Sequence, residues 1–497
     1  MRATHQEKNL SFLCRNGRFS AGLNRRCDAI FRLADAPFST IGFVLHERYL
    51  WSLISSLLVT SVLSTGANGD WLRFRGPNGT GISDETVPAE WSPDNNIEWK
   101  IALPGPGSSC PIVVGDRVFV TCWSGYGEER GGDPGDQTDL KRHLVCVDRT
   151  SGKTLWDKTV DPFLPEDEYG GMFAEHGYAS HTPVSDGENV YCFFGKSGVV
   201  VFDMSGNRIW QEQVGTESGA RNWGSASSPL LYENLVIVPA TAESEAIVAL
   251  DKKTGNQVWK QEAAGFNSTW GSPVLVPVSA KRSDLVIGVP DEIWALNPAT
   301  GKLAWYCDGV PASSMCSSVV AHGDTVYAIE SGPGGGGGIA VKAGGSKDVT
   351  DSHVVWQGNQ SNRIGTPVFV DGRLYMVSNK VLTVLDATSG EKINSVRLAS
   401  SSKAPAPAER PEDTGGRRRR GRGGRGGQDY ASAVVAANKL YFQTRGGEMF
   451  VVQLGDKPKQ VAANRVTTDT EDFSASPAIS DGCLFIRSNK HLYCVTR

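Results

Sequence analysis

A short turn segment recurs five times along the chain, and it constrains the fold more than any other feature of the sequence. Each copy follows an apolar run, opens on Asp or Asn and reaches Gly three or four residues later, and in four copies Trp stands four residues beyond the Gly. The copies comprise Asp148, Gly152 and Trp156; Asp203, Gly206 and Trp210; Asp251, Gly255 and Trp259; Asn297, Gly301 and Trp305; and Asp386 with Gly390. Asp and Asn accept hydrogen bonds from the backbone just downstream, and Gly supplies the positive φ of a tight turn. The segments therefore predict hairpin turns whose outgoing strands carry a Trp that fills a gap between sheets.

Around these turns a longer unit recurs at a spacing of about 44–49 residues where nothing is inserted. Each unit opens on a small polar segment that often ends in Pro, and four short strands follow, the third leading to the Asp turn and the fourth carrying the Trp. The second strands are predicted at residues 117–120, 189–194, 234–238, 284–289, 325–329, 373–377, 439–442 and 483–487. Eight such units match the blades of a β-propeller, in which each unit contacts mainly its neighbours.

The two ends of the repeat array test that count. The last unit stops after three strands, whereas a lone strand that contains Trp99 precedes the first complete unit. Pairing the two would complete an eighth blade. We therefore predict an all-β fold, an eight-bladed β-propeller of four-stranded antiparallel blades, closed by an N-terminal strand that pairs with the C-terminal blade. Seven blades remain the alternative if residues 313–359 do not form a sheet.

The signal-type pattern and the start of the repeats divide the chain into three parts. Residues 1–69 are predicted to be an N-terminal extension and signal peptide, because Arg48 precedes an apolar run at 49–63 and small residues follow it. That run is shorter than the roughly 20 residues of a membrane span, so we expect export to the periplasm or another extracytoplasmic space. Residues 70–95 are expected to be a lead-in segment over the body, and residues 96–497 the propeller. The glycine tract 332–338 is expected to be an inserted loop, and the Pro/Arg/Gly-rich stretch 400–428 a disordered insertion.

Charge and cysteine content narrow the possible partners and chemistry. The formal net charge is −4, and residues 1–48 carry eight Arg or Lys against four Asp or Glu, so the rest of the chain is acidic and a poor partner for nucleic acid. Eight Cys follow the signal segment, and an exported protein could pair some of them. Cys483 and Cys494 lie on strands predicted to be adjacent and are the first candidate pair. The alternative is that the Cys residues are small buried side chains.

The segments that precede the innermost strands of a propeller meet at one end of its channel, and in this chain they contain aromatic and charged residues. We predict a ligand site at this channel mouth, formed by Glu175, His176, Tyr178, Arg221, Trp223, Trp270, Arg363 and Tyr430. Aromatic rings with a few charges in a concave mouth suit a ligand or a peptide. The alternative is that the two Trp residues only plug the channel and that the His only forms hydrogen bonds within its loop. The sequence predicts no catalytic residue and no metal ligand.

The Asp-x-x-Thr/Ser-Gly-x-x-x-Trp repeat resembles the tryptophan-docking motif of pyrroloquinoline-quinone (PQQ) propellers, over residues 96–497. That superfamily includes the quinoprotein alcohol dehydrogenases and the BamB-like proteins, which are not enzymes. The lead-in Trp71-Leu72-Arg73-Phe74-Arg75-Gly76-Pro77 is similar to that of exported PQQ-like repeat proteins of planctomycete-type bacteria. The resemblance implies the propeller fold and leaves the function to be argued from the site.

Two functions are compatible with this resemblance. A quinoprotein dehydrogenase would hold PQQ with Ca²⁺ at the channel mouth, with a catalytic Asp, a Trp platform and, usually, a disulfide between adjacent Cys residues. This chain has no adjacent Cys pair, no carboxylate in a recognisable Ca²⁺ context and no Cys-x-x-Cys-His haem motif. We therefore favour a noncatalytic, monomeric binding or scaffolding propeller without a cofactor, for a protein, peptide or polysaccharide partner. The PQQ-dependent dehydrogenase is the alternative.

Overall fold

A computed structural model describes residues 69–332, 335–401 and 428–497, and this part of the chain consists mainly of short β-strands. The predicted signal segment up to residue 68 and residues 402–427 of the predicted insertion lie outside the described residues. Strands β1 (Ile82–Ser83) and β2 (Ile97–Ala102) come first. The strands after them form successive antiparallel sheets, each the blade of a propeller.

The first four blades follow in chain order. Blade 1 consists of β3 (Ile112–Val114), β4 (Arg117–Ser124), β5 (Lys141–Asp148) and β6 (Thr154–Val160). Blade 2 consists of β7 (Val184–Ser185), β8 (Asn189–Phe193), β9 (Val199–Asp203) and β10 (Arg208–Glu212). Blade 3 consists of β11 (Leu230–Tyr232), β12 (Leu235–Ala240), β13 (Ala246–Asp251) and β14 (Gln257–Glu262). Blade 4 consists of β15 (Val274–Ser279), β16 (Arg282–Val289), β17 (Glu292–Leu296) and β18 (Leu303–Asp308).

The other four blades include the two ends of the ring. Blade 5 contains β19 (Val320–His322), β20 (Thr325–Gly332), β21 (Gly335–Lys342) and β23 (Val354–Gly358), while β22 (Lys347–Asp348) joins blade 4 parallel to β18. Blade 6 consists of β24 (Val368–Val370), β25 (Arg373–Ser378), β26 (Val381–Asp386) and β27 (Lys392–Arg397). Blade 7 consists of β28 (Val434–Ala436), β29 (Lys439–Gln443), β30 (Met449–Gln453) and β31 (Lys459–Asn464). Blade 8 consists of β32 (Ala478–Ser480), β33 (Cys483–Arg487), β34 (His491–Val495) and β2.

Helical structure is sparse in the described residues. It comprises α1 (Thr350–His353) and single 3₁₀ turns at Pro77–Gly79, Gln137–Asp139, Phe173–Glu175, Gly195–Ser197 and Ala264–Phe266. None of the helices in the described ranges has the length and apolar character that a membrane crossing requires.

The eight-bladed prediction is confirmed, because the predicted second strands are β4, β8, β12, β16, β20, β25, β29 and β33. Residues 313–359 contain the sheet of blade 5, which rules out the seven-bladed alternative. The expectation of an inserted glycine loop is wrong: Gly332 and Gly335 pair at the end of the β20–β21 hairpin. Glycine is required on this hairpin because strands approach closely, and a Cβ at Gly337 would lie 2.8 Å from the carbonyl oxygen of Gly358.

The ring closes as predicted, with the first propeller strand pairing with the last. β2 runs antiparallel to β34, with Trp99 opposite Cys494 and Lys100 opposite Tyr493. The eighth blade therefore joins two segments from opposite ends of the propeller sequence. All eight Cys of the described residues are free thiols. Cys483 and Cys494 lie on neighbouring strands, and the hydrogen bond with Cys494 lowers the pKa of Cys483 to about 6.

The turn glycines lie against Trp residues of the preceding blade. A Cβ at Gly152, Gly206, Gly255, Gly301 or Gly390 would come within 2.4–2.9 Å of ring atoms of Trp99, Trp156, Trp210, Trp259 or Trp356, respectively. The same indoles donate Nε1–H to the backbone carbonyls of Arg149, Met204, Lys252, Pro298 and Ala387 in that next turn, at 2.9–3.2 Å. Trp305 differs, because its Nε1 donates to Asp284 Oδ2 of its own blade at 2.6 Å. Each turn therefore supplies the surface on which the neighbouring blade packs.

The lead-in segment enters the channel, whereas the sequence suggested that it lies over the body. Trp71 pairs with Val113 on the innermost strand of blade 1, and β1 pairs in parallel with β28 of blade 7. Arg75 donates to the carbonyl oxygens of Thr366 (2.9 Å) and Pro367 (2.7 Å), beside blade 6. The Trp71 indole is 1% exposed, and the burial of this apolar surface stabilises the position of the segment in the channel.

Candidate functional site

Eight small side chains, one before the innermost strand of each blade, form a closed ring of hydrogen bonds around the channel. The backbone N–H of each donates to the side chain of its counterpart in the next blade, at 2.8–3.2 Å. In ring order the residues are Cys110, Thr182, Ser228, Ser272, Ser318, Thr366, Ser432 and Ser476, which donates back to Cys110 Sγ. We call these eight residues the collar. The small polar segments that open the repeat units are thus explained, since each must supply an acceptor to the blade before it.

A cavity of about 190 Å³ lies at the collar and opens at the channel mouth. All eight collar residues line it, and so does Phe74 of the lead-in. The lead-in therefore contributes to the cavity wall, together with the polar side chains of the collar.

Two indoles in tilted contact form one wall of the mouth. The rings of Trp223 and Trp270 lie 4.9 Å apart at 37°, and both are half-buried. Trp270 Nε1 donates to the carbonyl oxygen of Gly224 at 2.8 Å. The Arg221 guanidinium lies 5.1 Å from the Trp223 ring centre and donates to Ser268 Oγ at 2.8 Å. Cation–π contact and hydrogen bonds thus hold a flat apolar surface with a positive charge at its edge.

Arg363 and Glu330 lie on the cavity wall formed by blades 5 and 6. Arg363 lines the cavity, and its Nε has no hydrogen-bond partner among the described residues. It precedes Ile364, whose φ of 67° is rare for a β-branched residue. Glu330 accepts the backbone N–H groups of Cys316 (2.8 Å) and Ser317 (2.7 Å), while burial raises its pKa.

Glu175 and Tyr430 form the opposite rim with two arginines. Glu175 forms ion pairs with Arg130 and Arg445, and the Arg445 guanidinium lies 5.4 Å from the Tyr430 ring centre. Burial opposes ionisation of Glu175, but hydrogen bonds and charge from the two arginines lower its pKa. Because Glu175 precedes blade 2 and Arg445 belongs to blade 7, this ion pair ties the 161–179 loop across the mouth.

His176 lines the mouth, whereas Tyr178 does not. His176 Nε2 lies 2.7 Å from the carbonyl oxygen of Trp223 and Nδ1 lies 2.7 Å from Ser180 Oγ, and burial lowers its pKa. A neutral ring fixed at both nitrogens orients the Trp223 segment. Tyr178 is buried in the aromatic cluster beneath the loop, where its hydroxyl donates to the carbonyl oxygen of Asp167 at 2.5 Å.

The structure therefore brings together seven of the eight predicted residues: Glu175, His176, Arg221, Trp223, Trp270, Arg363 and Tyr430. The sequence did not predict Glu330, the collar or Met172, which also lines the cavity. The repeated Ser/Thr at the start of each unit was a usable signal for the collar, because a hydroxyl recurring at one position of every blade indicates a shared bond. Glu330 carried no signal, since it is one polar residue at the end of a strand.

The residues at the mouth do not fit a Ca²⁺-bound quinone. Ca²⁺ takes six to eight oxygen ligands, several of them carboxylates. The carboxylates that line the cavity are Glu175 and Glu330, and both are already engaged, the first by two arginines and the second by backbone N–H groups. Across the described ranges, no group of three or more His, Cys, Asp or Glu side chains could hold a metal ion.

Known proteins resemble this chain in sequence or in fold. Part of the chain is 21% identical over 282 residues to a polyvinylalcohol dehydrogenase of a Pseudomonas species, a match that covers 46% of this chain and 40% of that protein. BamB from Moraxella catarrhalis superposes with a TM-score of 0.51 at 12% identity, over 81% of this chain and 99% of that one. Quinohemoprotein alcohol dehydrogenase from Comamonas testosteroni superposes with a TM-score of 0.55 at 12% identity, over 87% and 81%. At these identities the two structures show a shared fold alone.

The family comparison covers more than half of the chain. The model described as outer membrane protein assembly factor BamB matches residues 136–274 and 240–410, which run from the segment between β4 and β5 of blade 1 to beyond blade 6. The chain therefore belongs to the PQQ-like β-propeller family whose model bears that description.

Proposed function

We propose that this protein is a noncatalytic binding module that takes a segment of a protein or peptide partner into the mouth of its channel. The observation that carries the proposal is the Trp223–Trp270 pair, which lines an open cavity. A hydrogen bond from Trp270 and the cation–π contact of Arg221 with Trp223 fix the positions of the two rings. Trp and Arg are the residues that contribute most to protein–protein interfaces. An arrangement that is rigid before binding loses little entropy when a partner orders against it.

The charges around the indoles suit a polar segment with an apolar anchor. Arg221 provides a cation at the edge of the aromatic wall and Arg363 provides one on the wall of blades 5 and 6, whereas Glu175 already pairs with two arginines. A partner side chain that packs on the indoles would thus meet the Arg221 guanidinium beside them. The family description, an outer membrane assembly factor, supports a protein partner over a glycan.

The proposal includes export of the mature chain as a monomer. It is supported by the signal-type segment before residue 70 in the sequence. Cell fractionation and N-terminal sequencing test this part. We expect the protein outside the cytoplasm with a new N-terminus at residue 68 or 70, and recovery of the uncleaved chain in the cytoplasm would contradict it.

A partner identified from a periplasmic extract should depend on the mouth. We expect Trp223→Ala and Arg363→Ala each to weaken its affinity, measured by titration calorimetry, by about tenfold or more, which is typical of hot-spot truncation. Arg208→Ala is the matched control, because Arg208 is exposed on the outer strand of blade 2 and bonds only Gln211 among the described residues. Equal affinities for all three variants and the wild type would exclude the channel mouth as the binding site.

A PQQ-dependent dehydrogenase is the second candidate, favoured by the partial match to a polyvinylalcohol dehydrogenase. The assay is dye reduction by the purified chain with alcohols or sugars, with and without added PQQ and Ca²⁺. Turnover that requires the quinone would establish the enzyme and remove the noncatalytic assignment. The binding module predicts no turnover under either condition.

A further inference from the structure

The collar presents unused hydroxyl protons to the cavity. A Ser or Thr hydroxyl has one donor and two acceptor sites. Each collar hydroxyl accepts a hydrogen bond from one backbone N–H, so its own proton is still available for donation. The hydroxyls of Ser228, Ser272, Ser318, Thr366 and Ser432 donate to no acceptor in the described part of the chain, although all five line the cavity. Accepting an N–H bond makes a hydroxyl a stronger donor. The collar therefore presents several hydroxyl hydrogen-bond donors to the same cavity.

Two buried guanidinium groups lie next to this ring, and neither is paired with a carboxylate in the part of the chain that the structure describes. Arg75, 1% exposed, bonds only backbone carbonyl oxygens, among them that of the collar residue Thr366 at 2.9 Å. Arg487, also 1% exposed, donates to the carbonyl oxygen (3.0 Å) and Oγ (2.6 Å) of Ser109, next to the collar residue Cys110. Its Nε has no partner among the described residues. Burial lowers the pKa of both arginines, and that of Arg75, about 9, leaves it protonated at neutral pH. Guanidinium groups stay charged in proteins.

Among the described residues, no carboxylate forms an ion pair with Arg75 or Arg487. Burial raises the pKa of the Cys110 thiol, so it stays uncharged between the two arginines. Of the two cavity carboxylates, Glu175 forms ion pairs with Arg130 and Arg445, and Glu330 accepts the backbone N–H groups of Cys316 and Ser317 on the wall of blades 5 and 6. A buried charge is costly unless a counter-charge compensates it. Donors that converge on a cavity, with unpaired cations behind them, are the conditions under which a pocket binds an anion.

We propose that the collar is an anion site on the channel axis and that it binds a carboxylate group. The carboxylate would accept hydrogen bonds from the collar hydroxyls, while Arg75 and Arg487 supply the compensating charge from behind. It could belong to a free small acid or to the C-terminus of a peptide that enters from the mouth. The site does not depend on the proposed function, because it lies below the indole pair and is complete without a partner.

The test is a titration of the purified mature protein with ¹³C-labelled acetate, followed by NMR. We expect saturable binding to the wild type and about tenfold weaker binding to Ser228→Ala, which loses a hydrogen bond to a charged group. Ser227→Ala is the matched control: Ser227 is equally buried and adjacent, but its hydroxyl donates to the carbonyl oxygen of Gly271 at 2.9 Å. Ser228→Thr keeps the hydroxyl and should restore binding, which separates donor loss from misfolding.

Two further arms identify the source of the carboxylate and keep the test independent of the mouth. A short peptide with a free C-terminus that displaces acetate, while its amidated form does not, would assign the site to chain termini. Displacement by neither form would assign it to free acids. Trp223→Ala should bind acetate like the wild type even if it loses the protein partner. Absence of saturable acetate binding, or equal binding by Ser228→Ala and Ser227→Ala, would overturn the proposal.

Discussion

Packing of Trp259 on Gly301 allows backbone strain and steric conflict to be measured separately. Gly301 and Gly372 both lie in turns with left-handed backbone, φ +71° and +73°. A Cβ at Gly301 would lie 2.4 Å from the Trp259 ring, whereas a Cβ at Gly372 would meet nothing within 4 Å. Gly372→Ala should therefore cost only the conformational term, about 1–2 kcal/mol.

Gly301→Ala should cost considerably more. The same backbone term applies, the displaced indole adds about 1–3 kcal/mol of overpacking, and loss of the 3.0 Å bond from Trp259 Nε1 to the Pro298 carbonyl oxygen adds about 1 kcal/mol. We expect a total of about 3–6 kcal/mol in the free energy of unfolding. Urea denaturation followed by circular dichroism measures it, since tryptophan fluorescence itself changes with the displaced ring.

A double-mutant cycle provides the decisive comparison. In a Trp259→Ala background no ring obstructs the new methyl group, so Gly301→Ala should then cost only about 1–2 kcal/mol, as in the control. Equal losses for Gly301→Ala and Gly372→Ala in the wild-type background would refute the reasoning, because the Trp contact would then contribute nothing to the requirement for glycine.

Three other predictions concern the closure, the collar and pH. Truncation after Lys490 removes β34 and should lower the melting temperature markedly, because β2 then loses its partner; an unchanged melting curve would contradict the closure. Ser272→Ala should destabilise by about 1–3 kcal/mol in urea titrations, because the buried N–H of Ser228 loses its acceptor. Burial raises the pKa of Glu243 to about 7 and lowers that of His181 to about 3. Between pH 4.5 and 6.5 the folded state thus retains a proton on Glu243 that the unfolded state loses, which makes stability fall as pH rises. In the same window the folded state excludes a proton that the unfolded state binds at His181, which makes stability rise with pH. Relative to the wild type, Glu243→Gln should make stability rise with pH in that window and His181→Gln should make it fall, and parallel profiles would refute both shifts.

The repeats made the fold predictable because each blade follows the same local rules. An Asp side chain that bonds its own turn and a Gly with positive φ are properties of a few consecutive residues, so they can be recognised in sequence. Closure by β2 and β34 was predictable for a similar reason, since the array had one strand missing at one end and one to spare at the other. The path of the lead-in was not, because Trp71 and Arg75 take their partners, Val113 and Thr366, from two different blades, the second of them 291 residues away.

The site was predictable only as far as the ring geometry determined it. Residues just before the innermost strands converge by symmetry, which placed Trp223, Trp270 and Arg363 at the mouth. Tyr178 precedes the same kind of strand, but the 161–179 loop folds back on itself and buries the ring against Phe173, at 4.7 Å between ring centres. Packing inside an irregular loop depends on contacts that no repeat encodes.

Trp71 and β1 of the lead-in pair with the innermost strands of blades 1 and 7, and Phe74 lines the cavity. A ligand at the collar is therefore expected to enter and leave through the mouth. A partner bound to the indoles would thus block the mouth and slow the dissociation of a small acid bound at the collar. Exchange of the small ligand would then report how long the large one stays.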